Sequence, residues 1–188
     1  DASDKLDKIA DETGVTVNRM KGSFTQIAAF AKTTGMEQAD ALDIADRSMK
    51  AVADSAAFYD RSIEDVTNSL QSFLKGNFEN DAALGLSCTE TTRNTAANAL
   101  YGKSFKDLSE AEKQLTLLQM VEDANKASGA IGQAARESDT WTNQLGNLKQ
   151  NVQDLKAAAG NAFLKPAVMV LKPVSYTHLR AHETDSYL

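Results

Sequence analysis

Two histidines four residues apart, His178 and His182, with Glu183 beside them, have the spacing that puts two imidazoles on one face of a helix, as a metal site would need. Between them stand Leu179-Arg180-Ala181, without the Glu that follows the first His of a zincin. They are the chain's only histidines, so residues 1–173 have no imidazole to act as base or ligand. Gly102-Lys103-Ser104 matches the end of a phosphate-binding loop, but that motif requires Gly at position 97, where Ala97 stands. A helix is also predicted before Gly102, so a phosphate there would meet the negative end of its dipole; Gly102 reads better as a helix cap. Cys88 lies near a predicted helix start, where a thiol can be acidified, yet it has no histidine to activate it. As a lone cysteine it excludes a disulfide framework and a cysteine zinc cage. The carboxylate pairs Glu79/Asp81, Glu110/Glu112 and Glu122/Asp123 fall at helix starts or on polar faces, where dipole complementation or solvation accounts for them. Trp141 could stack a ligand, but its place in an apolar seam makes it a core residue. No catalytic, cofactor-binding or metal residue is assigned, and no cofactor is expected.

The elements that would carry these residues follow from composition. Of 188 residues 42 % are apolar, but 29 are Ala and only 14 are Val or Ile, with 10 Gly and 2 Pro. That balance favours helix and argues against sandwiches, barrels and parallel α/β sheets. The net charge of −6 is spread along the chain with no basic stretch, which disfavours nucleic acid as a partner. The stretch 157–171 is interrupted by Lys165 and Pro166 and falls short of a bilayer span. Because Asp1 already has helical surroundings, we expect an internal fragment of a longer protein.

The apolar period predicts one helix after another. Residues 4–12 carry Leu6 and Ile9 and stop at Gly14; residues 16–32 start at Thr16 and carry Met20, Phe24, Ile27, Ala28 and Ala31. From 36 to 59, Leu42, Ala45, Met49, Val52, Ala56 and Tyr59 form a single stripe. Ser62 with Asp65 opens a helix bearing Ile63, Val66, Leu70 and Phe73. Gly76 breaks it, residues 81–84 make at most one turn, and Ser87 or Thr89 caps a helix over 90–100. Ser109 and Glu112 form a capping box for a helix to about residue 127, with Ala111, Leu115, Leu118 and Val121 on its apolar side. Ser138 or Asp139 caps the last helix. Its residues Trp141, Leu145, Leu148, Val152, Leu155, Ala159 and Ala162 alternate 4, 3, 4, 3, 4, 3, the spacing of a coiled-coil seam, until Pro166. An ordinary amphipathic helix on a bundle would look the same over so few heptads.

Particular residues also carry a resemblance. Phe73-Leu74-Lys75-Gly76-Asn77-Phe78, Ala83-Leu84-Gly85, Leu100-Tyr101-Gly102-Lys103-Ser104-Phe105-Lys106-Asp107-Leu108-Ser109 and Ser138-Asp139-Thr140-Trp141 occur in that order and spacing. Over residues 1–173 this resembles the tail tape measure proteins of long-tailed bacteriophages and prophages, in the segment before their central rod. The resemblance implies a virion structural protein that lies in the lumen of the tail tube and sets tail length during assembly. It further implies that the tail tube protein polymerises around it, that tail assembly chaperones keep it soluble in the host cytoplasm beforehand, and that it self-associates through its helices. Residues 174–184 (Val-Ser-Tyr-Thr-His-Leu-Arg-Ala-His-Glu-Thr) instead resemble a translated sequencing adapter, and both histidines belong to that composition break.

The expected fold is therefore all-α: several short helices forming a loose module over 1–135, leading into a longer coiled-coil-like helix over 136–173, with 174–188 a non-native, disordered tail. Without oligomeric partners the module is expected to expose its seams. No enzyme activity and no membrane contact are expected. The rival reading is a soluble helical adaptor unrelated to phage, which continued heptads beyond residue 173 would disfavour. Circular dichroism of residues 1–173 should show strong helical minima; a β-dominated spectrum would overturn this reading.

Overall fold

The computed structural model describes residues 1–138 and 141–159. Among them are eight α-helices and no strand: α1 (Ala2–Thr13), α2 (Val17–Thr33), α3 (Gln38–Phe58), α4 (Ile63–Leu74), α5 (Glu90–Tyr101), α6 (Glu110–Ser128), α7 (Gln133–Arg136) and α8 (Trp141–Ala159). Single 3-10 turns at Asp81–Leu84 and Phe105–Asp107 flank α5. The all-α expectation is met, and most predicted ends lie within two residues of the observed ones.

Local chemistry explains those ends. The first N–H groups of a helix have no intrahelical acceptor, so a side-chain oxygen just before them is stabilising. Ser62 accepts from the Asp65 N–H at 3.0 Å. Ser109 accepts from Glu112 at 3.2 Å while the Glu112 carboxylate accepts from the Ser109 N–H at 2.8 Å, the reciprocal box expected there. Of the two candidates for α5, Thr89 is the cap, with Thr92 as its return partner. At the other ends, Gly14, Gly102 and Gly129 adopt left-handed backbone. Gly14 has a second constraint, since a Cβ there would lie 2.2 Å from the Ser138 Cβ. α3 ends without glycine: Asp60 takes the left-handed position at φ 52°, and the Arg61 N–H reaches back to the Ala56 carbonyl at 2.8 Å.

The chain divides into two units, Asp1–Gln144 and Leu145–Leu188. In the first, α3 is the central element, packed against α1, α2, α4, α6 and α7. The single stripe expected on α3 is corrected. Ala45, Met49, Val52 and Ala56 are buried, but so are Ala41, Ile44, Ser48, Ala51, Ala53 and Ser55, while Leu42 and Tyr59 are only partly so. A helix covered on several sides needs short side chains on more than one face. Leu6, Ile9, Met20, Phe24, Ile27, Val66, Leu70, Phe73, Leu117, Leu118 and Val121 complete one core with it. The seams of this module thus close inside the chain, contrary to the expectation that they would wait for oligomeric partners.

In α6 the buried face also differs from the expected one. Leu118 and Val121 are buried, Leu115 and Ala111 are half-buried, and Leu117, Gln114, Thr116 and Asn125 join the buried set. α8 is described as a helix through Ala159, with Leu145 exposed and Leu148 and Val152 half-buried. Trp141, Leu155 and Ala159 lie on that helix, but their side chains fall outside the described residues. So do Asp139, Ala162, Pro166 and the tail 174–188.

Because Ala45 is fully buried on the central helix, Ala45→Leu overpacks the core. A loss of about 1–3 kcal/mol in urea-induced unfolding is expected.

Candidate functional site

The residues most able to do chemistry gather between α3 and α6. Arg47 and Glu122 form a two-point ion pair, Nε to Oε1 at 2.9 Å and Nη2 to Oε2 at 2.6 Å, and Nη2 also donates to Gln119 Oε1 at 3.1 Å. Flat guanidinium and carboxylate groups match in this way, and each side chain here is about three-quarters buried or slightly less. One turn on, the Asn125 amide donates to the Ala51 carbonyl at 3.1 Å and accepts from the Ser55 hydroxyl at 2.9 Å. Asp54 then accepts from the Gly132 N–H at 2.9 Å and the Ala134 N–H at 3.1 Å, so a carboxylate of α3 caps α7. Burial pushes the Asp54 carboxyl up from its ordinary range, against the opposing pull of those two N–H groups and Arg136. Beside these contacts runs a groove of about 440 Å³, with Lys50, Asp46, Asp123, Lys126 and Ile131 among its walls.

On the other side of this groove, Lys50 reaches Glu12 of α1 at 2.7 Å and Asp46 at 3.2 Å. Lys50 holds the Glu12 carboxyl below the usual glutamate range, mainly through their hydrogen bond. These groups pair with one another, and what they can do is fasten helices.

The other sequence candidates have structural roles. Gly102 caps α5 in left-handed conformation, its N–H donating to the Asn98 carbonyl at 2.9 Å, and Ser104 donates to Asp107 at 2.6 Å. Cys88 is buried, and burial pushes its thiol up, opposite to the acidification possible at a helix start. Its N–H donates to Asp81 at 2.5 Å, and the Sγ lies 3.7 Å from the Arg93 guanidinium. Arg93 in turn stacks 4.3 Å over Phe78 and 5.7 Å from Phe105, joining the two loops around α5. Of the carboxylate pairs, Glu112 caps α6, Glu110 pairs with Lys113 at 2.7 Å, and Asp123 accepts from Gln119 at 3.0 Å. Among the described residues no group of three or more His, Cys, Asp or Glu is placed to hold a metal ion, and no helix is long and apolar enough to cross a membrane.

Sequence reasoning missed Arg47, Asp54, Ser55 and Asn125 as a set. Their partners are 70 to 80 residues away, and no short-range spacing encodes them. The one available signal was Asn125 at a position where the α6 apolar period continues past Val121.

Compared with known proteins, the chain matches no family model, no curated protein and no solved structure.

The Glu12 carboxyl gives a pH dependence. Its folded-state pKa lies below its unfolded value, so its contribution is present above the unfolded value and lost as pH falls through the folded one. Urea unfolding from pH 7 to pH 3 should therefore show the native chain losing more stability than Glu12→Gln. The difference should be small, since the Glu12 side chain is about two-fifths exposed and solvent screens the pair.

Proposed function

We propose that this chain is part of a phage or prophage tail tape measure protein. In this reading it is a structural component that fixes tail length while the tail tube protein assembles around it. The observation that carries the proposal is the spacing along α8. After a module whose helices are joined by capped turns, this 19-residue helix carries apolar positions at heptad intervals. The resembling motifs support it, because they coincide with joints of the fold: Ala83-Leu84-Gly85 is the end of the first 3-10 turn and its cap, Gly102 to Ser109 spans the second, and Ser138 precedes α8.

The physical basis of such a ruler is linear. A helix rises about 1.5 Å per residue, so residue number converts directly into length along an axis. In α8 the positions off the seam are mostly Asn, Gln, Lys and Asp, polar types that suit a surface facing a surrounding tube. The tail tube protein, assembly chaperones and further copies of the chain are the partners this role requires. The tube lumen is its place in the virion, after a period in the host cytoplasm.

In the phage encoding the full-length protein, inserting four heptads into α8 tests the proposal. Twenty-eight added helical residues should lengthen the tail by about 42 Å, read by electron microscopy of purified particles. Normal tails of unchanged length would favour the adaptor reading.

A further inference from the structure

We propose that α5, α6 and α7 open from the α1–α4 core as one cooperative unit, a strap held by side-chain clasps to one side of α3. This inference concerns the module alone and stands whether or not the chain belongs to a tail.

Three observations carry it. The first is the placement of the clasps. Arg47 with Glu122 and Gln119, Ala51 and Ser55 with Asn125, and Asp54 with Gly132 and Ala134 follow one another along α3. Their partners advance in the same sense through α6 into α7, so all three clasps lie along one line of closure. The second is the composition of the contact. The buried residues of α6 are Gln114, Thr116 and Asn125 beside Leu117, Leu118 and Val121, whereas those of α2 are Met20, Phe24, Ile27 and Ala31. Moreover, both amide atoms of buried Gln114 lack a hydrogen-bond partner, as do the buried hydroxyls of Ser48 on α3 and Thr67 on α4. Such groups are stabilised by regaining water, and for Gln114, which lies on α6 itself, that lowers the cost of opening. The third is that the contact is creased: the groove of about 440 Å³ follows the line of clasps, so water already reaches its edge.

α5 belongs with the strap because Ala97 is its one buried residue and α6 is its main neighbour. Opening exposes Leu117, Leu118 and Val121, so the closed form predominates. Contiguous supersecondary units commonly open below the cost of global unfolding, and the less apolar surface a unit buries the lower that cost is.

The test is hydrogen exchange of the full chain, read by mass spectrometry peptide by peptide. Amides of α6 should exchange together and at least tenfold faster than those of α3 and α4. Arg47→Gln and Asn125→Ala, each removing one clasp, should speed exchange in α6 by roughly tenfold and leave α3 and α4 within twofold of the native rate. Arg47→Gln is the milder change, because its side chain is partly exposed and its loss leaves the apolar core intact. Equal protection of all these helices, or equal acceleration of all of them by either variant, would show a single cooperative unit and overturn the proposal.

Discussion

How closely helices can approach α3 governs the rest of this module. A helix with long side chains on every face holds its neighbours about 10 Å away and leaves voids between them. Here the buried surface of α3 is largely Ala41, Ala45, Ser48, Ala51, Ala53, Ser55 and Ala56, with Ile44, Met49 and Val52 filling between them. Five helices reach it, and the larger side chains of the core come from those neighbours: Phe24 and Ile27 from α2, Leu70 and Phe73 from α4, Leu117 and Leu118 from α6. This division of labour lets a chain with few Val, Ile and Phe residues close a core.

Small residues also explain why the two sides of α3 are held differently. On the α2 and α4 sides apolar side chains meet it and are buried there. Toward α6 and α7 the buried Leu117, Leu118, Val121 and Ala134 are joined by Arg47, Asp54, Ser55 and the Ala51 carbonyl, groups that need particular partners in particular directions. Hydrogen bonds of this kind add little net stability but penalise wrong arrangements strongly, because any displaced donor or acceptor is left buried and unpaired. Those on the α6 side select a register where the adjoining alanines would accept several.

How much of this could be read from the residues alone depended on the range of each interaction. Helix starts at Ser62 and Ser109 and stops at Gly14 and Gly102 were legible because the cap and its partner lie within four residues. The Asp60 turn was not, since a left-handed Asp carries no more signal than any other Asp. α2 and α4 were legible as amphipathic because each buries one face. For α3 the same pattern gave one stripe where two faces are buried, since Ala and Ser are scored weakly although they suit a crowded position. The clasp residues were hidden for a different reason: Asp54 caps a helix that begins 79 residues later, and only the closed chain brings them together. Cys88 shows the reverse case, a residue whose type and local sequence suggested reactivity that burial removes.

The self-contained caps bear on how the chain reaches its native state. α1, α4, α5 and α6 each find an acceptor for their first N–H groups within their own opening residues. Each can therefore nucleate during synthesis, before any distant segment has left the ribosome. α1 through α4 are also consecutive in sequence and pack on their neighbours in order, a topology of low contact order that favours rapid collapse. The remaining helices must wait for residues beyond 110 before Arg47, Ser55 and Asp54 find their counterparts, so docking onto α3 forms the closing step of assembly.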